Sequence, residues 1–90
     1  MSDISDMDTH TLTTNLGRQI KLLRKRRGLT QAALAERAGM ARSKVVLLEQ
    51  GQGSVAFESY ARVVAALDAS FLLEAAQRPT FEELGDVYRE

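Results

Sequence analysis

Apolar positions along this chain recur at helical spacing, and short polar or glycine-bearing breaks divide them into segments. Leu16, Ile20 and Leu23 fall at i, i+4 and i+7, which predicts a first helix over residues 16–27. Thr14 or Asn15 stands where its N-cap belongs, and Gly28 where a left-handed residue ends it. Thr30 opens a second helix, with its hydroxyl offered to the unpaired N–H groups of the first turn. Ala33, Leu34 and Ala38 form the small-residue inner face of that helix, and Gly39 stops it. A third helix covers residues 42–50, with Val45 and Leu48 three apart facing the core and Gly51 closing it. Gln52, Gly53 and Ser54 make a loop, Ser54 being placed to cap a fourth helix over residues 56–67. There Phe57, Tyr60, Ala61, Val64 and Leu67 follow the spacing of one apolar stripe.

The two ends are less regular. Residues 1–13 are polar, rich in Ser, Thr and Asp, and read as a mobile tail. After a break at Asp68 and Ala69, the run SFLLEAA over residues 70–76 fits a short fifth helix. It fits equally a strand with Phe71, Leu73 and Ala75 on one side, since seven residues are too few for periodicity to arbitrate. Pro79 interrupts the chain, and Thr80 followed three residues later by Glu83 is a capping box. It predicts a last helix with Phe81, Leu84 and Tyr88 on one side, too short to persist unless docked. The chain thus divides into a tail (1–13), a helical domain (14–69) and a C-terminal segment (70–90) for dimerisation or partner binding, where Phe71, Leu72, Leu73, Phe81, Leu84 and Tyr88 supply the apolar contacts.

Ninety residues make one small all-α domain whose core, with no Trp and few aromatics, is aliphatic. Such a core is marginal, and a dimer would enlarge it. With no Cys there is no disulfide and no thiolate metal site. No apolar run reaches the roughly 20 residues of a bilayer span, and the N-terminal residues lack the basic and apolar regions of a signal peptide, so a cytoplasmic protein is expected. His10 stands alone in the tail and reads as a surface residue. Carboxylates are scattered, no Ser/His/Asp or Cys/His set exists, and neither a catalytic residue, a metal nor a cofactor is expected. Gly51, Gly53 and Ala56 match a loose dinucleotide fingerprint, but they follow a helix rather than a strand.

The net charge is zero, yet the charges are sorted. Nine Lys and Arg lie between Arg18 and Lys44, against the single acid Glu36, while the ends are acidic. A basic middle is either a solvated face or a polyanion-binding one. The arrangement helix, glycine-bearing turn, helix favours the second, because it is the helix-turn-helix plan. The major groove of B-DNA, about 12 Å wide, accepts one α-helix, and side chains at the N-terminal end of that helix reach base edges. Those positions here are Arg42, Ser43 and Lys44. A short helix suffices when only its first turns enter a groove.

The stretch LGRQIKLLRKRRGLTQAALAERAGMARSKVVLLEQG resembles the Cro/cI (XRE) family of helix-turn-helix DNA-binding proteins. The resemblance covers residues 16–67 and rests on Leu16-Gly17, Ile20, Arg24, Gly28-Leu29-Thr30-Gln31, Leu34-Ala35, Gly39, Val45, Leu48-Glu49 and Gly51. It implies a λ-repressor-like bundle of four or five short helices, the third lying in the major groove. It also implies roles. Gln31 would hold the DNA backbone and at times a base, Arg42 and Ser43 would read bases, Leu47 would occupy a further base-reading position, and Lys44 would hold phosphate. Arg24 and Glu49 would form an ion pair across the bundle. Arg18 and Lys21, with Lys25, would attract phosphate from the first helix, and Gln52 and Ser54 complete the expected DNA contacts. Two departures stand out. Ala41 replaces the Ser or Thr that caps the recognition helix in the family, and Val46 and Leu47 are apolar where polar residues are usual.

The reading that follows is a homodimeric, sequence-specific regulator, a repressor on a palindromic operator. The alternative is the antitoxin of a type II toxin–antitoxin pair that also binds a protein toxin. It rests on the stretch ALDASFLLEAAQRPTFEEL, which is similar to the tail of HipB-type antitoxins, where a strand pairs across the dimer axis.

Overall fold

The computed structural model of the chain describes residues 8–73. Among them are four helices: α1 (Thr9–Arg26), α2 (Gln31–Ala38), α3 (Arg42–Gln50) and α4 (Phe57–Ala66). Their inward faces meet in one aliphatic core, in which Leu34, Val45, Leu48, Val63 and Leu67 are fully buried. α3 packs against both α1 and α2, and α2 against α4. Phe81, Leu84 and Tyr88 lie outside the described residues, as do residues 74–76 of the segment 70–76. Its described part, residues 70–73, is neither helix nor strand.

α2 and α3 start and stop where the sequence pattern places them. Thr30 caps α2 by accepting from the Ala33 N–H at 3.0 Å. At the other end Gly39 adopts φ 71°. The Met40 N–H then reaches back to the Ala35 carbonyl at 3.0 Å, and the chain turns sharply towards α3. Only a residue without a Cβ takes that conformation freely. A reverse bond of the same kind closes each of the other three helices, with Asp68 holding positive φ (56°) after α4.

α1 begins well before the predicted start. The supposed tail is helical from Thr9, with neither Thr14 nor Asn15 as its cap. Asp8 caps it instead, accepting from the Thr11 N–H at 2.8 Å. The extra turns are held by the end of α3: the Thr13 hydroxyl donates to the Gly51 carbonyl at 3.2 Å. A Cβ on Gly51 would lie 2.6 Å from the Cα of Thr14. Thr14 is thus inside the seam, its hydroxyl buried without a hydrogen-bond partner among the described residues. Gly17, one turn further on, lets α1 touch α3 directly, because a Cβ there would collide with the carbonyls of Leu48 and Glu49. Neither seam contact involves an apolar side chain, so apolar periodicity gave no sign of them.

α4 differs in two ways. Ser54 does not cap it; Ala56 is its N-cap residue, with no side-chain bond. Val55 packs against the core and keeps the approach extended, which leaves Ser54 two residues short of the first turn. The buried stripe also lies further round than predicted, on Tyr60, Val63, Val64 and Leu67. Phe57 is 66% exposed and stacks on Phe71, ring centroids 5.0 Å apart.

Gly17→Ala should destabilise the domain by about 1–3 kcal/mol, since the obstruction is backbone that cannot rotate away; urea unfolding measures it, and an unchanged midpoint would show that the seam yields. The Asp8 carboxyl is held below its ordinary value of 3.8, chiefly by the Thr11 N–H. A lowered folded-state value means that the cap stabilises at pH above 3.8 and is lost as pH falls through the lower, folded value. NMR shifts of residues 9–13 should therefore move towards coil in acid before those of α3 do.

Candidate nucleic-acid interface

α3 presents two unlike sides. Val45, Leu48 and Glu49 are buried, whereas Arg42, Ser43, Leu47 and Gln50 are exposed and Val46 is half-buried. At about 100° per residue, Arg42, Val46, Gln50, Ser43 and Leu47 share one face, and Lys44 is turned roughly 130° from its centre. Lys44 is thus exposed but off that face, a placement suited to a phosphate rather than a base edge. Leu47, 40% exposed, offers an apolar contact of the kind a thymine methyl makes. Gln50 was not singled out from the sequence; its place on the same face is the only sign of it.

The start of α3 carries no side-chain cap, because Ala41 has no group to offer. Its first N–H groups are left open to an outside acceptor, and a phosphate oxygen at a helix N-terminus is such an acceptor.

Behind that face lies a buried polar assembly. Arg24 and Glu49 are each 7% exposed. The Arg24 Nε donates to Glu49 Oε2 at 2.6 Å and Nη2 to Oε1 at 3.1 Å. The remaining arm, Nη1, donates to the Leu29 carbonyl at 2.8 Å, which ties the α1–α2 turn to the same guanidinium. Gln31 Nε2 donates to Glu49 Oε1 at 3.1 Å, and Arg42 Nη2 donates to Gln31 Oε1 at 3.4 Å. Gln31, named by the family resemblance, and Arg42, named by its place at the start of α3, are therefore neighbours.

Three other predicted residues lie on α1. Arg18, Lys21 and Lys25 are exposed and lie within about 60° of one another around the helix. Arg18 is held by Asn15 at 2.7 Å. Leu16 and Leu23 on the opposite flank, with Leu22, Gln19 and Arg26 nearer the cations, line a groove of about 520 Å³ with Val64, Phe71 and Leu72. Leu72 and Leu73 are 84% and 98% exposed. Gln52 and Ser54 are exposed in the α3–α4 loop. Arg62, not singled out from the sequence, donates to the Gly39 carbonyl at 3.5 Å. Among the described residues no cluster of His, Asp or Glu is placed to hold a metal ion, and no helix is long and apolar enough to cross a membrane.

This geometry defines a helix-turn-helix module: α2, the turn at Gly39, and an exposed α3. The family model described as "Helix-turn-helix domain" matches residues 15–89, and the chain belongs to that family, in its Cro/cI (XRE) branch of DNA-binding regulators. The family and fold are those of regulators rather than enzymes. Among solved structures the chain is similar to the restriction-modification controller protein C.AhdI from Aeromonas hydrophila, at 31% identity, over 71% of this chain and 93% of that one, with a TM-score of 0.64. It is similar to an HTH_3 family transcriptional regulator from Vibrio cholerae at 27% identity, over 70% of this chain and 35% of that one, with a TM-score of 0.64. A chain of the HipA–HipB–O2–O3 complex, 21% identical, shares the fold over 86% of this chain and 100% of that one, with a TM-score of 0.65. No curated protein matches the sequence.

Removing one partner of a buried ion pair leaves the other charge orphaned, so Glu49→Ala should cost about 3–5 kcal/mol. The double variant Arg24→Met with Glu49→Leu should recover most of that loss in urea unfolding. A double variant no more stable than Glu49→Ala would mean that packing, not the stranded charge, sets the cost.

Proposed function

We propose that the chain binds double-stranded DNA sequence-specifically as a homodimer and represses transcription in the cytoplasm from a palindromic operator. The observation that carries this reading is the exposed, uncapped start of α3, where Arg42 and Ser43 project beside Gln31. Arg42 forks onto a guanine, Ser43 donates or accepts at a neighbouring base, and Leu47 meets a thymine methyl. Gln31, Lys44, Arg18, Lys21, Gln52 and Ser54 engage the backbone. Likeness to a restriction-modification controller at 31% identity supports a regulator.

The apolar groove between α1 and residues 64–72 supports the dimer. Phe71, Leu72 and Leu73 are too apolar and too exposed for a lone domain of this size. The groove's lining takes in Arg26 but not Arg18, Lys21 or Lys25, so pairing two copies there leaves those three cations open. The two recognition helices would then lie about 34 Å apart, matching half-sites one helical turn apart. The antitoxin reading draws on the same exposed Leu72 and Leu73, which a toxin partner would cover, and on the fold shared with a HipA–HipB complex chain.

Selection from random duplexes should return a two-fold symmetric site. Arg42→Ala should cost about 1–3 kcal/mol and relax preference at one position in each half-site, whereas Lys44→Ala should weaken all sequences alike and lower the salt slope. Identical behaviour of the two variants would refute this division of roles. Leu72→Asp should shift sedimentation from dimer to monomer; a variant that sediments as the wild type would place the interface elsewhere. Purification from native cells with a stoichiometric second protein would favour the antitoxin.

A further inference from the structure

We propose that Glu49 is a positioning residue for base recognition, acting through Gln31 on Arg42; this rests on the reading of Arg42 as a base-reading residue. The chain of bonds runs Arg24, Glu49, Gln31, Arg42, and its polarity is fixed by chemistry. A guanidinium only donates and a carboxylate only accepts. Glu49 therefore draws the NH₂ end of the Gln31 amide towards itself, and the carbonyl end is left facing Arg42. Rotated the other way, the amide would set a carbonyl against a carboxylate and an NH₂ against a guanidinium, and both contacts would repel.

The outermost bond is the longest, 3.4 Å, and is solvent-exposed, whereas the Arg24–Glu49 bonds are buried. The buried end thus decides what the exposed end meets. With an acceptor beside it, Arg42 is tethered through one Nη2 hydrogen, and the other Nη2 hydrogen, with its neighbouring donor, remains to fork onto a base. With a donor beside it, Arg42 is pushed away and samples several rotamers. The buried charge would then govern discrimination at one base pair without touching DNA.

The test uses the full chain and its selected duplex, with the base pair assigned to Arg42 by the Arg42→Ala variant. Glu49→Gln substitutes an amide that accepts either orientation of Gln31. Discrimination at that base pair should fall about tenfold, within the range that one bidentate contact supplies, while discrimination at other positions stays. Gln31→Met keeps the ion pair and removes the link, so it should produce the same loss, and Glu49→Gln should add nothing to it. The proposal is overturned if Gln31→Met retains full discrimination. It is equally overturned if Glu49→Gln costs as much in the Gln31→Met background, or degrades every position alike, since both describe a merely structural role.

Free protein supplies an arm independent of DNA. The side-chain amide protons of Gln31 should exchange slowly in wild type and fast in Glu49→Gln. Fast exchange in wild type would mean that the relay does not form, overturning the proposal whatever DNA does. Slow exchange with no base preference altered by Arg42→Ala would instead show that the relay stands and the DNA role given to Arg42 is wrong, which also ends the proposal.

Discussion

The fold depends on the way α1 is fastened to α3. Two devices do this along a single seam. Where Gly17 meets the carbonyls of Leu48 and Glu49, and where Gly51 meets Thr13 and Thr14, the helices approach at backbone distance. Between those points and the α1–α2 turn, Arg24 and Glu49 are closed off from water. A buried pair of this kind gains little stability over an apolar pair of similar volume, because desolvating both charges offsets most of their attraction. Its value lies in direction. Three donors of Arg24 and both oxygens of Glu49 have partners, so one relative placement of α1, the Leu29 turn, α2 and α3 satisfies them all.

That constraint matters because the core is small. Its fully buried side chains are leucines and valines, and such side chains alone tolerate several packings of short helices. Polar groups do not tolerate them, since a misplaced helix would leave a carboxylate unpaired in a dry interior. The fixed object is therefore the relation between α2 and α3, which a DNA-binding role requires to be constant. Helices of eight and nine residues would not hold that relation through their own propensity.

Legibility in the sequence follows from which forces leave a local mark. α2 and α3 were legible to the residue because Thr30, Gly39 and Gly51 are local signals, acting on the backbone beside them. The Arg24–Glu49 pair came from a family resemblance, not from spacing. The early start of α1 was not legible: Thr9 to Thr13 carry no apolar period, and what makes them helical is Asp8 before them and Gly51, 38 residues beyond Thr13. Phe57 was assigned inward because it fits the period, and lies outside because Phe71 offers it a partner on the surface. Val63 was missed for the complementary reason, the stripe being set by where α2 lies rather than by the strongest apolar residues. Positions of Arg42 and Ser43 followed from pattern and that of Leu47 from the family resemblance, but the bond joining Arg42 to Gln31 could not be read from either, since it crosses two helices.

The sorted charge now has a structural counterpart. α1 carries Arg18, Lys21 and Lys25 on one flank and Leu16 and Leu23 of the groove on the other, with the α3 seam beside the cations. A helix used on three sides cannot also supply a broad apolar face, and α1 buries only Gly17, Ile20 and Arg24. Its length compensates: 18 residues allow the extra turns at Thr9–Thr13 to add contacts that the crowded middle cannot. The acidic N-terminal end fits the same economy. A carboxylate at the N-terminus of a helix is stabilised by the helix dipole, and Lys25 and Arg26 at its C-terminus are stabilised likewise. Charge of both signs thus sits where α1 itself favours it, and the cations do so on a surface that a polyanion can reach.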